Sequence, residues 1–287
     1  MTEFVFLNEQ LIPRDEAKIS VDDSGFLYGF GCYDTLLALE YTPLFVEEHV
    51  NRLNRSIQEL KIDKAGFEPT DINNKIKELL SKNSCKNARI RITVTKGVVD
   101  LQNIHIVNPN MTLLITSTPL ADDYYNRNIQ PFRLFISKYI RNHPHSIPSS
   151  LKLTSLANHI FASMEAKENG YDDGIMLSYN DYLTEGSSFN IFMVKKNTIY
   201  TPHLETGILP GITRNVLLNI FKMKGYSYEE GYYHKESLYS ADEAFATSSV
   251  RGIVPIKEVD NHRLMLGDYT KQMTHDYYNY LKEILED

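Results

Sequence analysis

Leu183-Thr184-Glu185-Gly186-Ser187-Ser188-Phe189-Asn190-Ile191-Phe192 and, further on, Ile208-Leu209-Pro210-Gly211-Ile212-Thr213-Arg214 are the stretches on which the reading of this chain turns. In the first, Glu185 follows a predicted strand and faces a Gly-Ser-Ser bend; taken alone it reads as a turn carboxylate. In the second, Gly211 allows an anion to come close, and the helix predicted over Thr213–Lys224 turns its first N–H groups and the favourable end of its dipole toward that point. A plain loop with a threonine cap reads equally well there. Thr247-Ser248-Ser249 closes a predicted strand with three hydroxyls, suited to a phosphate or simply to solvent. Lys152, between Leu151 and Leu153, is either a lysine snorkelling at a strand end or a partly desolvated amine fit for Schiff-base chemistry. Arg52, on a predicted helix, reads on its own as a surface arginine rather than an anion clamp.

Around these stretches the pattern alternates short strands with helices. Strands are expected at Phe4–Leu7, Cys32–Leu39 and Pro43–Val46, the last two closed into a hairpin through Glu40-Tyr41-Thr42. Val50, Leu53, Ile57 and Leu60 recur at helical spacing and predict a helix over Glu47–Lys61; Thr70 would cap a second helix carrying Ile72, Ile76 and Leu79-Leu80. Two more strands follow near Arg89–Lys96 and Met111–Ser117. Ala121–Gln130 has no clear period and reads as a linker. Beyond it come a strand at Arg133–Ile140, an exposed-looking loop at Arg141–Ser150, and a helix over Ser155–Asn169 with Leu156, Ile160 and Met164 on one face. Strands then recur at Ile175–Ser178, Phe189–Val194, Thr198–Thr201, Glu243–Thr247 and Ile253–Val259, ahead of a terminal helix from about Tyr269. The expectation is an α/β chain of α+β type with two domains, 1–120 and 131–287, joined by a linker at 121–130, and an active site in the cleft between them.

Length and composition bound the function. A chain of 287 residues suits roughly two domains. Its 42% hydrophobic and 23% charged residues are ordinary for a globular protein and argue against disorder. No apolar run approaches the ~18 residues of a membrane span, and Met1-Thr2-Glu3 is not a basic leader, so a cytoplasmic location is expected. Thirty basic against 37 acidic residues, net −7, disfavour a nucleic-acid partner. Cys32 and Cys85 build neither a disulfide framework nor a zinc cage, and the histidines, His143 and His145 included, show no metal-ligand spacing, so no metal is expected.

Taken in order, the motifs gain weight together. Ser24-Gly25-Phe26-Leu27-Tyr28-Gly29-Phe30-Gly31-Cys32-Tyr33-Asp34-Thr35 is followed by Glu48-His49-x-x-Arg52-Leu53, then Lys152, the Glu185 run, Thr201-Pro202, the Gly211 run and Thr247-Ser248-Ser249. Over nearly its whole length this order resembles the class IV aminotransferases, the fold-type IV enzymes that use pyridoxal 5′-phosphate. That family holds branched-chain and D-amino-acid aminotransferases, (R)-selective amine aminotransferases and 4-amino-4-deoxychorismate lyases. The resemblance implies that Lys152 is the catalytic lysine, joined to the cofactor as a Schiff base and then shuttling the α-proton. It implies that Glu185 pairs with the pyridine nitrogen, and that Arg52, the Ile212 and Thr213 amides, the Thr213 hydroxyl and Ser249 hold the phosphate. It also implies that Tyr33 lies on the substrate side and that a neighbouring subunit completes the site of a homodimer.

Departures bear on the substrate, which the resemblance makes an amino acid and a 2-oxo acid. Members often carry Gly-Asp-Gly-Val-Phe-Glu where this chain has Gly29-Phe30-Gly31-Cys32-Tyr33-Asp34, and asparagine where His159 stands. Thr35 after Asp34 is closer to the lyases and D-amino-acid enzymes, and Thr184–Ser188 resembles the latter most. Their Arg-x-His carboxylate trap is missing from Val98 to His105, leaving Arg91 or Arg251 to supply the cation. The expected activity is transamination with D-amino acids favoured. Aminodeoxychorismate lyase and branched-chain aminotransferase are the alternatives.

Overall fold

A computed structural model describes residues 3–63, 66–100, 102 and 110–286. Met1, Thr2 and, within the stretch searched for the Arg-x-His pair, Leu101 and residues 103–105 lie outside the described residues. The architecture is mixed α and β. By internal packing the chain falls into two units, Met1–Arg127 with Leu151–Ser155, and Asn128–Ser150 with Leu156–Asp287. The residues around Lys152 thus group with the first unit, although they lie in sequence within 131–287. The reason is backbone pairing: Tyr33 N donates to Lys152 O at 2.9 Å and Thr154 N to Gly31 O at 2.9 Å.

In the first unit the order is β1 (Phe4–Leu7), β2 (Gln10–Pro13), α1 (Ser24–Tyr28), β3 (Gly31–Leu39), β4 (Thr42–Pro43), α2 (Val46–Glu59), α3 (Pro69–Lys82), β5 (Ala88–Thr95) and β6 (Thr112–Pro119). The sheet runs β2-β1-β6-β5-β3-β4, antiparallel throughout. Val50, Leu53 and Ile57 of α2 and Ile72, Ile76, Leu79 and Leu80 of α3 share one core with Leu36, Ile90, Ile92 and Val94 of the sheet. Because strand side chains alternate, burying Ile90 and Ile92 turns Arg91 to the other face. Two local expectations are corrected. The second hairpin strand stops at Pro43, because Phe45 turns left-handed at φ 55° and α2 begins at Val46. Thr70 is not a cap: Pro69 already occupies the first helical turn, where a missing N–H costs nothing.

The second unit holds β7 (Phe132–Ile136), α4 (Ala157–Glu168), β8 (Asp173–Leu177), β9 (Leu183–Gly186), β10 (Asn190–Lys195), β11 (Thr198–Pro202), α5 (Ile212–Lys224), β12 (Ser227–Gly231), α6 (Lys235–Tyr239), β13 (Glu243–Ser248), β14 (Gly252–Val259), β15 (His262–Arg263) and α7 (Asp268–Glu286). Its sheet runs β12-β11-β10-β13-β14-β7-β8-β9, with β15 beside β14. Among the described residues three neighbouring pairs are parallel, β14 with β7, β7 with β8 and β11 with β12; α4 lies in the connection from β7 to β8 and α5 in that from β11 to β12. The face that α4 turns inward carries Ala162 and Ala166, while Ile160 and Met164 are about half exposed. Small residues are needed there because β8 comes very close: a Cβ on Gly174 would stand 2.4 Å from the Ala162 carbonyl oxygen. Among the described residues no helix is long and apolar enough to cross a membrane.

The last helix is capped from outside its own sequence. Glu243, on β13 and 5% exposed, accepts from Tyr269 N at 3.2 Å, Thr270 N at 2.8 Å and Thr270 Oγ1 at 2.7 Å. A carboxylate on first-turn N–H groups answers both the unpaired donors and the dipole. Glu243→Gln should therefore destabilise the protein by about 1–3 kcal/mol, the loss of charged hydrogen bonds at a buried site. Urea denaturation followed by circular dichroism measures it, and an unchanged midpoint would mean that α7 is held by its apolar face alone.

Candidate active site

Lys152 is pinned through its backbone before its side chain does anything. Its carbonyl accepts from Tyr33 on β3, its N–H donates to Ser56 Oγ on α2 at 3.3 Å, and Leu153 bridges Cys32. The amine then lies 4.8 Å from the centroid of the Tyr33 ring, and the Arg91 guanidinium carbon 3.8 Å from the same centroid. Two cations on one ring are each drawn by its quadrupole. Burial pulls the Arg91 guanidinium below its ordinary pKa, so it is a cation already partly stripped of water. Arg91 Nε also donates to Thr93 Oγ1 at 3.2 Å, which steadies the side chain. Of the sequence-predicted residues, Lys152, Tyr33 and Arg91 are thus together in the first unit.

Arg52 is there too, but it is not the surface residue that its helix suggests when read alone. It is 3% exposed and forks onto the fully buried Asp34, Nε to Oδ2 at 2.9 Å and Nη2 to Oδ1 at 2.8 Å. His49 Nδ1 donates to Asp34 Oδ1 at 2.7 Å. Burial would raise the Asp34 carboxyl, but the charges of Arg52 and His49 and their hydrogen bonds outweigh it and hold the group well below the usual carboxylate range. His49 is pulled below its ordinary value, chiefly by burial, against the upward pull of Asp34. It therefore sits neutral, with its proton on Nδ1, and Nε2 is buried without a hydrogen-bond partner among the described residues.

In the second unit Glu185 does not follow a strand but lies in one, β9, 5% exposed. Its carboxylate accepts from Arg141 Nε at 2.8 Å, Asn190 Nδ2 at 3.2 Å and Leu209 N at 3.0 Å. The composition around Arg141 predicts an exposed loop; the residue is only 6% exposed because its charge is spent on Glu185. Asn190 Nδ2 also donates to Leu209 O at 3.0 Å. Gly211 is needed beside it, since a Cβ there would meet Asn190 Oδ1 at 2.0 Å. Ile212 and Thr213 are buried at the start of α5, and among the described residues no side chain caps that helix. On β13, paired with Asn190, the buried Thr247 Oγ1 has no partner among the described residues, and Ser249 nearby is half-buried. Arg251 is exposed, its guanidinium 5.3 Å from the Phe132 ring centroid. What this unit presents is a carboxylate with its partners in place and, beside it, donors suited to an anion. Among the described residues no group of three or more His, Cys, Asp or Glu is arranged to hold a metal ion.

The comparison with known proteins follows this geometry. The family model for amino-transferase class IV matches residues 31–259, and the chain belongs to that family. A putative branched-chain-amino-acid aminotransferase of Methanocaldococcus jannaschii is 29% identical, over 94% of this chain and 93% of that one. Aminodeoxychorismate lyase of Bacillus subtilis is 29% identical over 99% and 96%, and D-alanine aminotransferase of Bacillus licheniformis 26% over 92% and 90%. Among solved structures, the branched-chain aminotransferase of Thermoproteus uzoniensis with norvaline superposes at TM-score 0.90, with 28% identity over 97% and 94%. Class IV aminotransferases use pyridoxal 5′-phosphate, and solved relatives include a branched-chain aminotransferase complexed with N-(5′-phosphopyridoxyl)-L-glutamate.

The buried Asp34–His49 pair makes stability depend on acid. Both groups titrate lower in the folded chain than in the unfolded one. Each contribution is therefore complete above the unfolded pKa, about 6.5 for histidine and about 3.9 for aspartate, and is lost as pH falls through the folded value. The urea midpoint should fall from about pH 6.5 downward for His49 and further below about pH 4 for Asp34. His49→Asn, which keeps a donor toward Asp34, should flatten the first part of that slope. Equal slopes in wild type and variant would show that His49 is not held neutral.

Proposed function

We propose that this chain is a pyridoxal 5′-phosphate transaminase that passes an amino group between an amino acid, D-amino acids favoured, and a 2-oxo acid, working as a homodimer. The observation that carries this reading is the pair of cations on Tyr33: a lysine amine with a fixed backbone, and a partly desolvated guanidinium on the same ring. An amine to receive the cofactor and a cation to receive a carboxylate are what an amino-acid transaminase needs and a simple amine donor does not. The donor set fits the cofactor. Among the described residues the hydroxyl of Thr247 is buried without a partner and no side chain caps the start of α5, which suits a phosphate, while the carboxylate of Glu185 is held in place by three N–H donors.

When bound, the cofactor supplies an electrophilic carbon for an amine and a ring that takes up the electron pair left when the substrate Cα–H bond breaks. Lys152 Nζ would hold the cofactor and, once displaced by the substrate amine, would take the Cα proton and pass it to the electrophilic carbon of the cofactor. Glu185 keeps a proton on the ring nitrogen, its orientation set by Arg141, Asn190 and the Leu209 amide. Arg52, the Ile212 and Thr213 amides, the Thr213 hydroxyl and Ser249 hold the phosphate. Arg91, with Tyr33, holds the substrate carboxylate, and of the two candidate arginines it is the one beside Lys152's ring partner. The D-preference is supported by the Thr184–Ser188 run, by Thr35 after Asp34, and by the D-alanine aminotransferase among the relatives. The homodimer is supported by apolar side chains left in water, Ile160, Phe161 and Met164 on α4, and Phe26, Leu27 and Tyr28 on α1. Sedimentation of the active enzyme should give twice the chain mass; an active monomer rejects the dimer.

The deciding experiment is a half-reaction screen, following conversion of the cofactor from its pyridoxal to its pyridoxamine form. D-Alanine and D-glutamate should convert it faster than L-leucine, and Lys152→Ala should convert with none of them. Faster conversion by L-leucine would reverse the stereochemical preference. Aminodeoxychorismate is the remaining arm, because the lyase reaction also begins by removing an α-proton and the Bacillus subtilis relative spans nearly the whole chain. Release of 4-aminobenzoate without amino transfer would put the lyase first. For the carboxylate, Arg91→Ala should raise KM for amino acids and 2-oxo acids by ~10²-fold and leave a simple amine donor unaffected. Unchanged saturation would move the carboxylate seat elsewhere.

A further inference from the structure

Asn190 joins two parts of the second unit that a single ligand would have to meet at once. Its Nδ2 hydrogens go to two acceptors, Glu185 Oε2 at 3.2 Å and Leu209 O at 3.0 Å. Leu209 N donates to the same Glu185 oxygen at 3.0 Å, so three residues close into one hydrogen-bonded ring. With acceptors on both sides the amide has one orientation only, and its oxygen is turned to Gly211. A Cβ at 211 would stand 2.0 Å from Asn190 Oδ1, and its other neighbours lie at 3.2 Å and beyond. Gly211 has φ −69°, which any residue adopts, so glycine is required there by this oxygen and not by the backbone. From Leu209 the chain reaches Ile212, the first residue of α5, through Pro210 and Gly211 alone, and the proline stiffens that short path. Across the ladder Asn190 pairs with Thr247, so both side chains leave the same face of the sheet. Thr247 is 2% exposed, and its hydroxyl has no partner among the described residues. All of these residues belong to the second unit.

We propose that Asn190 is a positioning residue for the cofactor: it touches neither end of it, but fixes Glu185 and the opening of α5 at one separation. This rests on the reading of Glu185 as the partner of the ring nitrogen and of the α5 amides as phosphate donors. It adds that the two are one device. The phosphate of pyridoxal 5′-phosphate hangs from the ring by a single CH2–O link, so the distance from ring nitrogen to phosphate hardly varies. A protein that meets both ends binds best when its own two ends are held at that distance beforehand. The amide of Asn190 does this, because a shift of β9 or of the loop before α5 would break its bonds to the other. The Thr247 hydroxyl, on the same face, is a further donor beside this link.

The test is equilibrium dialysis of four ligands on the full chain freed of cofactor: pyridoxal 5′-phosphate, pyridoxal, and the 1-deaza form of each. The dissociation constant of pyridoxal over that of pyridoxal 5′-phosphate gives a phosphate factor. That of 1-deazapyridoxal 5′-phosphate over pyridoxal 5′-phosphate gives a nitrogen factor. Asn190→Ser removes the amide and should lower both factors about 10-fold, the scale of a charge-assisted contact no longer aligned. 1-Deazapyridoxal, which has neither group, should keep its wild-type affinity within about 2-fold. A fall in one factor alone overturns the proposal. So do unchanged factors, and so does an equal weakening of all four ligands, which a merely structural role would give. Gly211→Ala pushes the same amide from the other side and should also lower both factors. Its Cβ comes closer than 3 Å only to the Asn190 oxygen. Asn190→Ser combined with Gly211→Ala should therefore lose no more than Asn190→Ser alone, within about 2-fold; losses that add overturn the proposal. Should Asn190→Ser fail to fold by near-ultraviolet circular dichroism, Gly211→Ala decides: a fall in both factors supports the proposal, and a fall in the phosphate factor alone overturns it. If Glu185→Gln leaves the nitrogen factor untouched, Glu185 does not meet the ring nitrogen, and the underlying reading of the site fails and takes the proposal with it.

Discussion

A carboxylate shut away from water must be answered by the protein around it, and at Asp34 the side chains that answer both come from α2. His49 and Arg52 stand three residues apart, on one face of that helix, and both reach the same group on β3. Removing one partner of such a buried pair costs about 3–5 kcal/mol, because the other is left charged and alone. The helix is therefore fixed on the strand not only by Val50, Leu53 and Ile57 but also by a polar contact with one acceptable register. Ser56, one turn beyond Arg52, is carried by that register to the backbone N–H of Lys152. Tyr33, the residue before Asp34, takes the Lys152 carbonyl. The two elements locked together by Asp34 are the two that hold the lysine.

In the second unit an amide plays the corresponding part. Asn190 gives its side-chain N–H groups to Glu185 and to Leu209, and its oxygen lies where any side chain at position 211 would have to be. The glycine before α5 is thus set by an asparagine on β10, and the amides of Leu209 and of the first turn of α5 are placed relative to a carboxylate on β9. Residues far apart in sequence behave as one hydrogen-bonded piece. That explains why a glutamate, an asparagine and a glycine occur together in this order: changing any of them disturbs the other two.

The chemistry-bearing runs are legible in the sequence because they depend on residue type and local order. Glu185 before a Gly-Ser-Ser bend and Gly211 at a helix start say something without knowledge of the fold. What is not legible depends on partners distant in sequence. Arg141 sits among prolines and histidines in a loop that has the composition of an exposed one, and its partner is 44 residues away. Arg52 looks like a surface arginine until Asp34 is placed beneath it. The inward face of α4 escapes a search for large apolar residues because close approach to Gly174 demands alanine there, and the large residues lie outside. Strand β12 leaves no signal because it is an edge strand, almost wholly exposed, with no buried face to impose alternation.

The buried charges of both units follow one logic. Asp34 is answered by Arg52 and His49, and Glu185 by Arg141, Asn190 and a backbone amide, so neither carboxylate needs a ligand in order to be tolerated in the fold. Among the described residues, the groups left unanswered beside Glu185 include the opening N–H groups of α5, which no side chain caps, and the buried hydroxyl of Thr247. Donors without acceptors call for an anion. Had the carboxylates been left short of partners instead, the same cluster would favour a cation, and a metal would be the natural guest. The division between acceptors satisfied from within and donors left open therefore favours an anion over a cation beside Glu185, before any question of which amino acid is turned over.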